Sequence, residues 1–258
     1  MICALAVVVL AGVLNVVSGY ATIPQGATFQ WQLTQTVDTS VSADVFDIDL
    51  FITSAATMST LKSSGKIVIC YFSAGSYENW RPDVGSLPSS VLGNTLHGWP
   101  DEKWWNVTDD DVRDVISARL DMAVTKGCDG VEPDNVDAYD NNGGGLGLTM
   151  SDLEDFLFWI AEEAHNRNMS VGLKNALSLI PAVESDFDWA LNEECFDYDE
   201  CSEYFPFINS GKAVFHTEYV DAVADGAAKI TAVCGNVPSD FSTIVKLWDL
   251  DAWRLTCP

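Results

Sequence analysis

The sequence predicts an α/β fold, a single-domain (β/α)8 TIM barrel, on three observations. Eight short apolar or β-branched runs recur from Phe29 onward, each closed by a polar loop and often followed by a helical pattern. Strands alternating with helices imply a parallel sheet. The 258 residues contain no linker long enough to divide the chain, a length that suits one barrel-sized domain. No Gly-x-Gly-x-x-Gly follows the first run, which leaves a dinucleotide-binding doubly wound sheet as the lesser alternative.

Before the first run, Met1 to Gly19 is small and apolar without one charged side chain. It reads as a secretory signal peptide over 1–19, with the barrel over 20–258. The missing Lys or Arg departs from the usual pattern, and an uncleaved membrane anchor is the alternative. Removing Cys3 with the signal leaves six cysteines, an even set that fits an oxidising compartment. Their spacing suggests Cys195 with Cys201 across a short loop and Cys234 with Cys257 at the chain end. Cys70 and Cys128 either pair or remain buried thiols. Asn106-Val107-Thr108 and Asn168-Met169-Ser170 are sequons usable in a secreted glycoprotein.

The eight runs, in order, are TFQWQL, DVFDIDLF, KIVICYFSAG, CDGVEPDN, SVGLKNA, DWALNEE, AVFHTEY and STIVKLWD. Between the third and fourth, Thr108 or Asp109 caps a helix with an Asp-rich first turn, which the helix dipole favours. Val112, Val115, Ile116 and Leu120 keep helical spacing until Lys126 and Gly127 close it. Between the fourth and fifth, Ser151 to Glu154 reads as a capping box ahead of an apolar face of Leu153, Phe156, Leu157, Ile160 and Ala164. The glycine-rich stretch Asn141 to Gly147 reads as a mobile lid after the fourth strand.

Charge narrows the partners. With 38 Asp and Glu against 13 Lys and Arg the net charge is −25, so neither nucleic acid nor, after signal cleavage, an anionic membrane is an expected partner. A hydrophobic share of 48% excludes a disordered acidic tail. No cofactor is expected. No metal is expected either, since there is no Cys-x-x-Cys and His97, His165 and His216 are scattered. DNVDAYDNNGGG is rich in oxygen donors but lacks the EF-hand spacing for calcium.

In a barrel, function sits where the strands end. The residues there are Gln32, Asp47, Asp49, Tyr71, Glu132, Asp134, Lys174, Glu193, Glu218 and Lys246, a set dominated by carboxylates from four strands. Cleaving an acetal needs one protonated and one charged carboxyl facing each other across the bond. Asp134 and Glu193, on the fourth and sixth strands, suit those two roles. Lys174 on the strand between would keep its neighbouring Asp ionised. Asp47, Asp49, Glu132 and Glu218 are expected to contact substrate. Trp31, Tyr71, Trp80, Trp99, Trp104 and Trp105 offer flat rings for sugar faces, whereas Trp159 belongs to a helix core. The absence of a Gly-x-Ser-x-Gly elbow, a P-loop or a His-x-x-x-His pair removes support from esterase, phosphoryl-transfer and zinc-hydrolase readings.

The strings FQWQL, VICYFSAGSYENWRPD, GWPDEKWW, KGCDGVEPDNVDAYDNN, VGLKNA, NEECFDYDECSEY and KAVFHTEY together resemble glycoside-hydrolase family 114, the endo-α-1,4-polygalactosaminidases. The likeness runs from Phe29 to Trp253. It implies a (β/α)8 hydrolase that cleaves α-1,4 links in galactosamine-containing polysaccharide with retention; secretion is expected from the signal segment, and the protein is expected to be a monomer. Asp134 would be its nucleophile and Glu193 its acid/base, with Glu194 competing because a one-residue slip reverses the face. Asp101 stands where the family pattern has glycine after GWP, and the loop after the fourth strand has gained glycines. A strongly acidic cleft would attract a polycation, although the charge serves solubility equally well. Another α-glycosidase barrel of α-galactosidase or amylase type, or a non-catalytic carbohydrate-binding barrel, are the other readings.

Overall fold

The structure, a computed structural model, describes residues 19–85 and 87–257. The expected signal segment therefore lies outside the described residues, apart from Gly19 at its end. Eight parallel strands stand in chain order around the sheet: β1 (Phe29–Gln32), β2 (Val45–Asp49), β3 (Ile67–Ser73), β4 (Gly130–Asp134), β5 (Ser170–Lys174), β6 (Trp189–Glu193), β7 (Ala213–Val220) and β8 (Phe241–Leu247). Each matches one of the eight apolar runs.

Side chains alternate across every strand, and that period of two separates two cores. Phe46 and Ile48 of β2, Val68, Cys70 and Phe72 of β3 and Val131 of β4 face the helices. Phe29, Trp31, Val45, Ile69, Trp189, Leu191, Phe215 and Ile244 fill the barrel interior. Gly172 faces that interior too; a Cβ there would stand 2.3 Å from the Trp189 ring. This apolar plug is the floor on which the polar ends of the strands rest.

The outer layer comprises α1 (Ala55–Ser63), α2 (Asp110–Lys126), α3 (Met150–Asn166), α4 (Ile180–Val183), α5 (Phe205–Asn209) and α6 (Gly226–Cys234). Asp109 caps α2 by accepting from the Asp111 amide, and Gly127 ends it at φ 89°. The capping box of α3 is Thr149 with Asp152, two residues before the expected Ser151, because Thr149 takes the extended backbone a cap needs. The glycine-rich loop is packed rather than free. Gly143 and Gly144 are buried, and Gly144 and Gly145 press on Trp104 and Asn94.

Two features depart from an ideal barrel. Between β3 and α2 the chain builds a three-stranded antiparallel sheet from Ser76–Glu78, Leu92–Leu96 and Trp99–Trp105. No β1–β8 ladder is formed among the described residues; the carboxyl-terminal segment fills that seam. Leu255–Thr256 pairs antiparallel with β8, Leu33 and Thr34 donate to the Leu250 carbonyl, and Arg254 reaches the carbonyls of Phe29 and Ser42. The disulfide Cys234–Cys257 fastens this segment to α6, while Cys70–Cys128 and Cys195–Cys201 are the other two bridges. Among the described residues no helix is long and apolar enough to cross a membrane.

Candidate active site

Parity places the polar groups. In β4 the residues facing the interior are Glu132 and Asp134, in β5 Lys174, in β6 Glu193, and in β7 Thr217 and Tyr219. Lys174 Nζ lies 3.1 Å from Asp134 Oδ1, 3.1 Å from Glu193 Oε2 and 3.2 Å from Glu132 Oε1, with only 2% of its side chain exposed. A shared ammonium at that range holds the Asp134 and Glu193 oxygens within twice 3.1 Å of each other. Its underside rests on the Trp31 ring, 4.6 Å from the centroid.

Each carboxylate is further fixed. Tyr71 donates to Asp134 Oδ2 at 2.8 Å, and the Ala74 and Gly75 amides donate to the Asp134 carbonyl at 2.8 and 3.0 Å. That clamp requires glycine: a Cβ on Gly75 would fall 1.6 Å from the Asn135 carbonyl oxygen. Glu193 accepts from Tyr219 at 2.5 Å and from Asn175 at 3.0 Å. Glu194, one residue past β6 with φ 63°, lines the cavity, while Lys174 pairs with Glu193. The cystine Cys195–Cys201 closes the loop that follows.

Burial dominates the electrostatics. It would lower Lys174, yet Asp134, Glu193 and Glu132 together hold the ammonium well above the ordinary lysine range. Burial pushes Glu132 up to about 7 even against the pull of Lys174, and burial plus the neighbouring Glu132 raises Asp47 well above a usual carboxyl. Tyr71 is raised by burial and by Asp134. Asp137 rises to about 6, through burial and Asp134. The cluster is therefore a set of carboxyls crowded around one cation, with protons retained on its deepest members.

Above this floor opens a cavity of about 720 Å³. One wall is the antiparallel excursion, contributing Glu78, Trp80, Arg81, Trp99 and Glu102; the opposite wall carries Glu194, Tyr198, Trp248 and Asp249. Trp80, Trp99, Tyr198 and Trp248 are 52%, 54%, 68% and 48% exposed, so large flat faces stand ready around a polar floor. Among the described lining residues nine are acidic and two basic, and both bases, Arg81 and Lys174, are already ion-paired. His216 lies within 4.8 Å of the Cys195 and Cys201 sulfurs, but their disulfide removes the thiolates a metal would need.

The family model of glycoside-hydrolase family GH114 matches residues 14–258. The chain belongs to family GH114. Among solved structures it is similar to Ega3 of Aspergillus fumigatus in complex with galactosamine, at 45% identity and TM-score 0.88 over 94% of this chain and 100% of that one. The glycoside hydrolase domain of PelA from Pseudomonas aeruginosa shares the fold at 12% identity and TM-score 0.71, over 90% and 98% of the two chains. An uncharacterized protein of Deinococcus radiodurans is 28% identical over 68% of this chain, which spans 64% of that relative's length.

Within this GH114 barrel the structure brings Asp134, Lys174, Glu193, Tyr71 and Trp31 together as the strand-end reading expected. Asp49 reaches the cavity edge but is held by Arg81 at 2.6 Å. Three expected substrate contacts are not on the wall. Asp47 and Glu132 lie one layer deeper, fully buried beneath Lys174. Glu218 sits on the outward face of β7, where His216, the Phe196 amide and Lys229 engage it. Its neighbour Tyr219 is the residue that points inward. Trp104 and Trp105 are core residues, the latter donating to the Ala74 carbonyl. The sequence reading missed Glu102, Asp137, Tyr198, Tyr219 and Trp248. Trp248, near the end of the last apolar run, carried a readable signal, and so did Tyr219 by alternation.

Proposed function

We propose that this GH114 chain is an endo-acting glycoside hydrolase that cleaves α-1,4 links in galactosamine-containing polysaccharide, with Asp134 as nucleophile and Glu193 as general acid and base. The observation that carries the reading is the pair of carboxylates on one buried ammonium at the cavity floor. As general acid Glu193 donates a proton to the leaving oxygen while Asp134 attacks the anomeric carbon. Glu193 then draws a proton from water, whose oxygen displaces Asp134. Retaining enzymes place their carboxyls about 5–5.5 Å apart and inverting ones roughly 6.5–9.5 Å. Retention is the reading carried by the resemblance to the family.

The substrate follows from charge and from likeness. A cavity lined by nine acids and two paired bases suits an ammonium-bearing chain better than a neutral glucan or galactan. The similar Ega3 structure holds galactosamine. Exposed aromatics on both walls fit a cleft that grips several sugar units within a polymer. The protein acts outside the cell as a monomer after losing residues 1–19; three disulfides support an oxidising compartment. Incubating the protein with galactosamine polymers of graded acetylation, followed by mass analysis of products, tests this. Internal cleavage that declines as acetylation removes positive charge is expected. Cleavage only of neutral α-galactans would contradict it.

A further inference from the structure

Trp99–Trp105 of the excursion brings Glu102 to the cavity wall, where it is 8% exposed. Glu102 Oε2 accepts from the Ser76 hydroxyl at 2.6 Å. The hydroxyls of Ser76 and Ser73 are 2.5 Å apart, and both residues are fully buried. Asn135 Nδ2 stands 2.9 Å from Ser73 Oγ and 3.4 Å from Asp134 Oδ2. An ionised carboxylate only accepts, so Ser76 must donate to Glu102. Ser73 then donates to Ser76, and Ser73 Oγ accepts from the Asn135 amide and from the Ser76 N–H at 3.1 Å. Every donor is used, and the chain has one polarity.

We propose that Glu102 is a positioning residue for the reaction at Asp134: its carboxylate sets the direction of the Ser76–Ser73–Asn135 hydrogen-bond chain and thereby aims the Asn135 amide at the reacting carboxylate. This rests on the assignment of Asp134 as nucleophile. When Glu102 takes a proton on Oε2 it donates to Ser76, Ser76 turns to Ser73, and the two lone pairs of Ser73 Oγ are then filled by the Ser76 O–H and N–H, which leaves none for the Asn135 amide. The amide must then leave its place. Burial raises Glu102 to about 7 despite the Ser76 bond; Glu78 and Asp134 face it and add to the rise, and Arg81 opposes it. Tyr71 is the remaining titratable neighbour. Reversal of the chain therefore falls on the acid side of neutrality, and turnover declines there.

The test compares Ser76→Ala, Glu102→Met and Glu102→Gln in polymer hydrolysis across pH, alongside the Asn135 side-chain amide resonance in the unmodified protein. Ser76→Ala and Glu102→Met should lower kcat roughly tenfold to a hundredfold with little change in KM, the scale of a lost aligned donor. Glu102→Gln, whose carbonyl accepts from Ser76 at every pH, should restore most of the turnover lost in Glu102→Met and flatten the acid limb. In the unmodified protein the Asn135 amide resonance should shift as Glu102 titrates. Ordinary kcat and pH profile in Ser76→Ala would overturn the proposal. So would an Asn135 resonance indifferent to pH, or a Glu102→Gln protein that changes only KM. The resonance is read without substrate, so a protein that cleaves no galactosamine polymer would refute the functional reading and still leave the chain testable.

Discussion

At the cavity floor one ammonium faces three carboxyl groups, and its removal has two consequences of different kind. Lys174→Met deletes the only cation contacting Asp134 and Glu193 among the described residues, so turnover should fall by several powers of ten and the pH profile should move. It also leaves buried carboxyls without a counter-charge, which costs about 3–5 kcal/mol when they stay ionised. Thermal unfolding of Lys174→Met should therefore recover toward the unmodified protein as pH falls and those carboxyls take up protons. Full activity with an unshifted profile would make Lys174 a structural residue only. That Asp134, Glu193 and Lys174 would meet at one end of the barrel was legible in the sequence because all three close apolar runs of the same parallel sheet. Glu218 was misplaced because a polar residue near a strand end gives no parity by itself; Phe215 inside and Val214 outside supply it only once the strand is seen.

The loop after β6 shows what an element contributes. Cys195–Cys201 closes a short segment that carries Tyr198 to the cavity rim and follows directly on Glu193. Breaking it as Cys195→Ser with Cys201→Ser frees loop entropy worth about 2 kcal/mol, a loss of several degrees in unfolding midpoint. Because Tyr198 is displaced while Glu193 stays on its strand, KM for polymer should rise more than kcat falls. Steady-state kinetics of the double variant check this, and a change confined to kcat would contradict it. The spacing of the two cysteines made this bridge readable. The antiparallel excursion was not, since Leu92–Leu96 is short, polar and bulged against its partner, and no period of two survives in it. The seam was hidden for a related reason: Leu255–Thr256 is a two-residue strand whose pairing is decided by tertiary closure.

At the scale of the molecule, several buried carboxyls carry raised values: Glu132 and Glu102 at about 7, Asp137 at about 6, and Asp47 higher than usual through burial and Glu132. An acid whose folded value is raised stabilises the fold fully below its unfolded value and loses that contribution as pH climbs through the folded one. The unfolding midpoint should thus be several degrees higher at about pH 5 than at about pH 8, and Asp47→Asn should narrow the gap. A midpoint that climbs steadily over that interval would contradict the assignment. The overall charge was plain in the sequence, but which nine acids line the cavity was not. The most direct measurement is the release of oligosaccharides from α-1,4-linked galactosamine polymer by the unmodified protein beside Asp134→Asn and Glu193→Gln. The account predicts internal cleavage by the first and a loss of several powers of ten in both variants, with folding and polymer binding retained. Near-normal release by Asp134→Asn would contradict it.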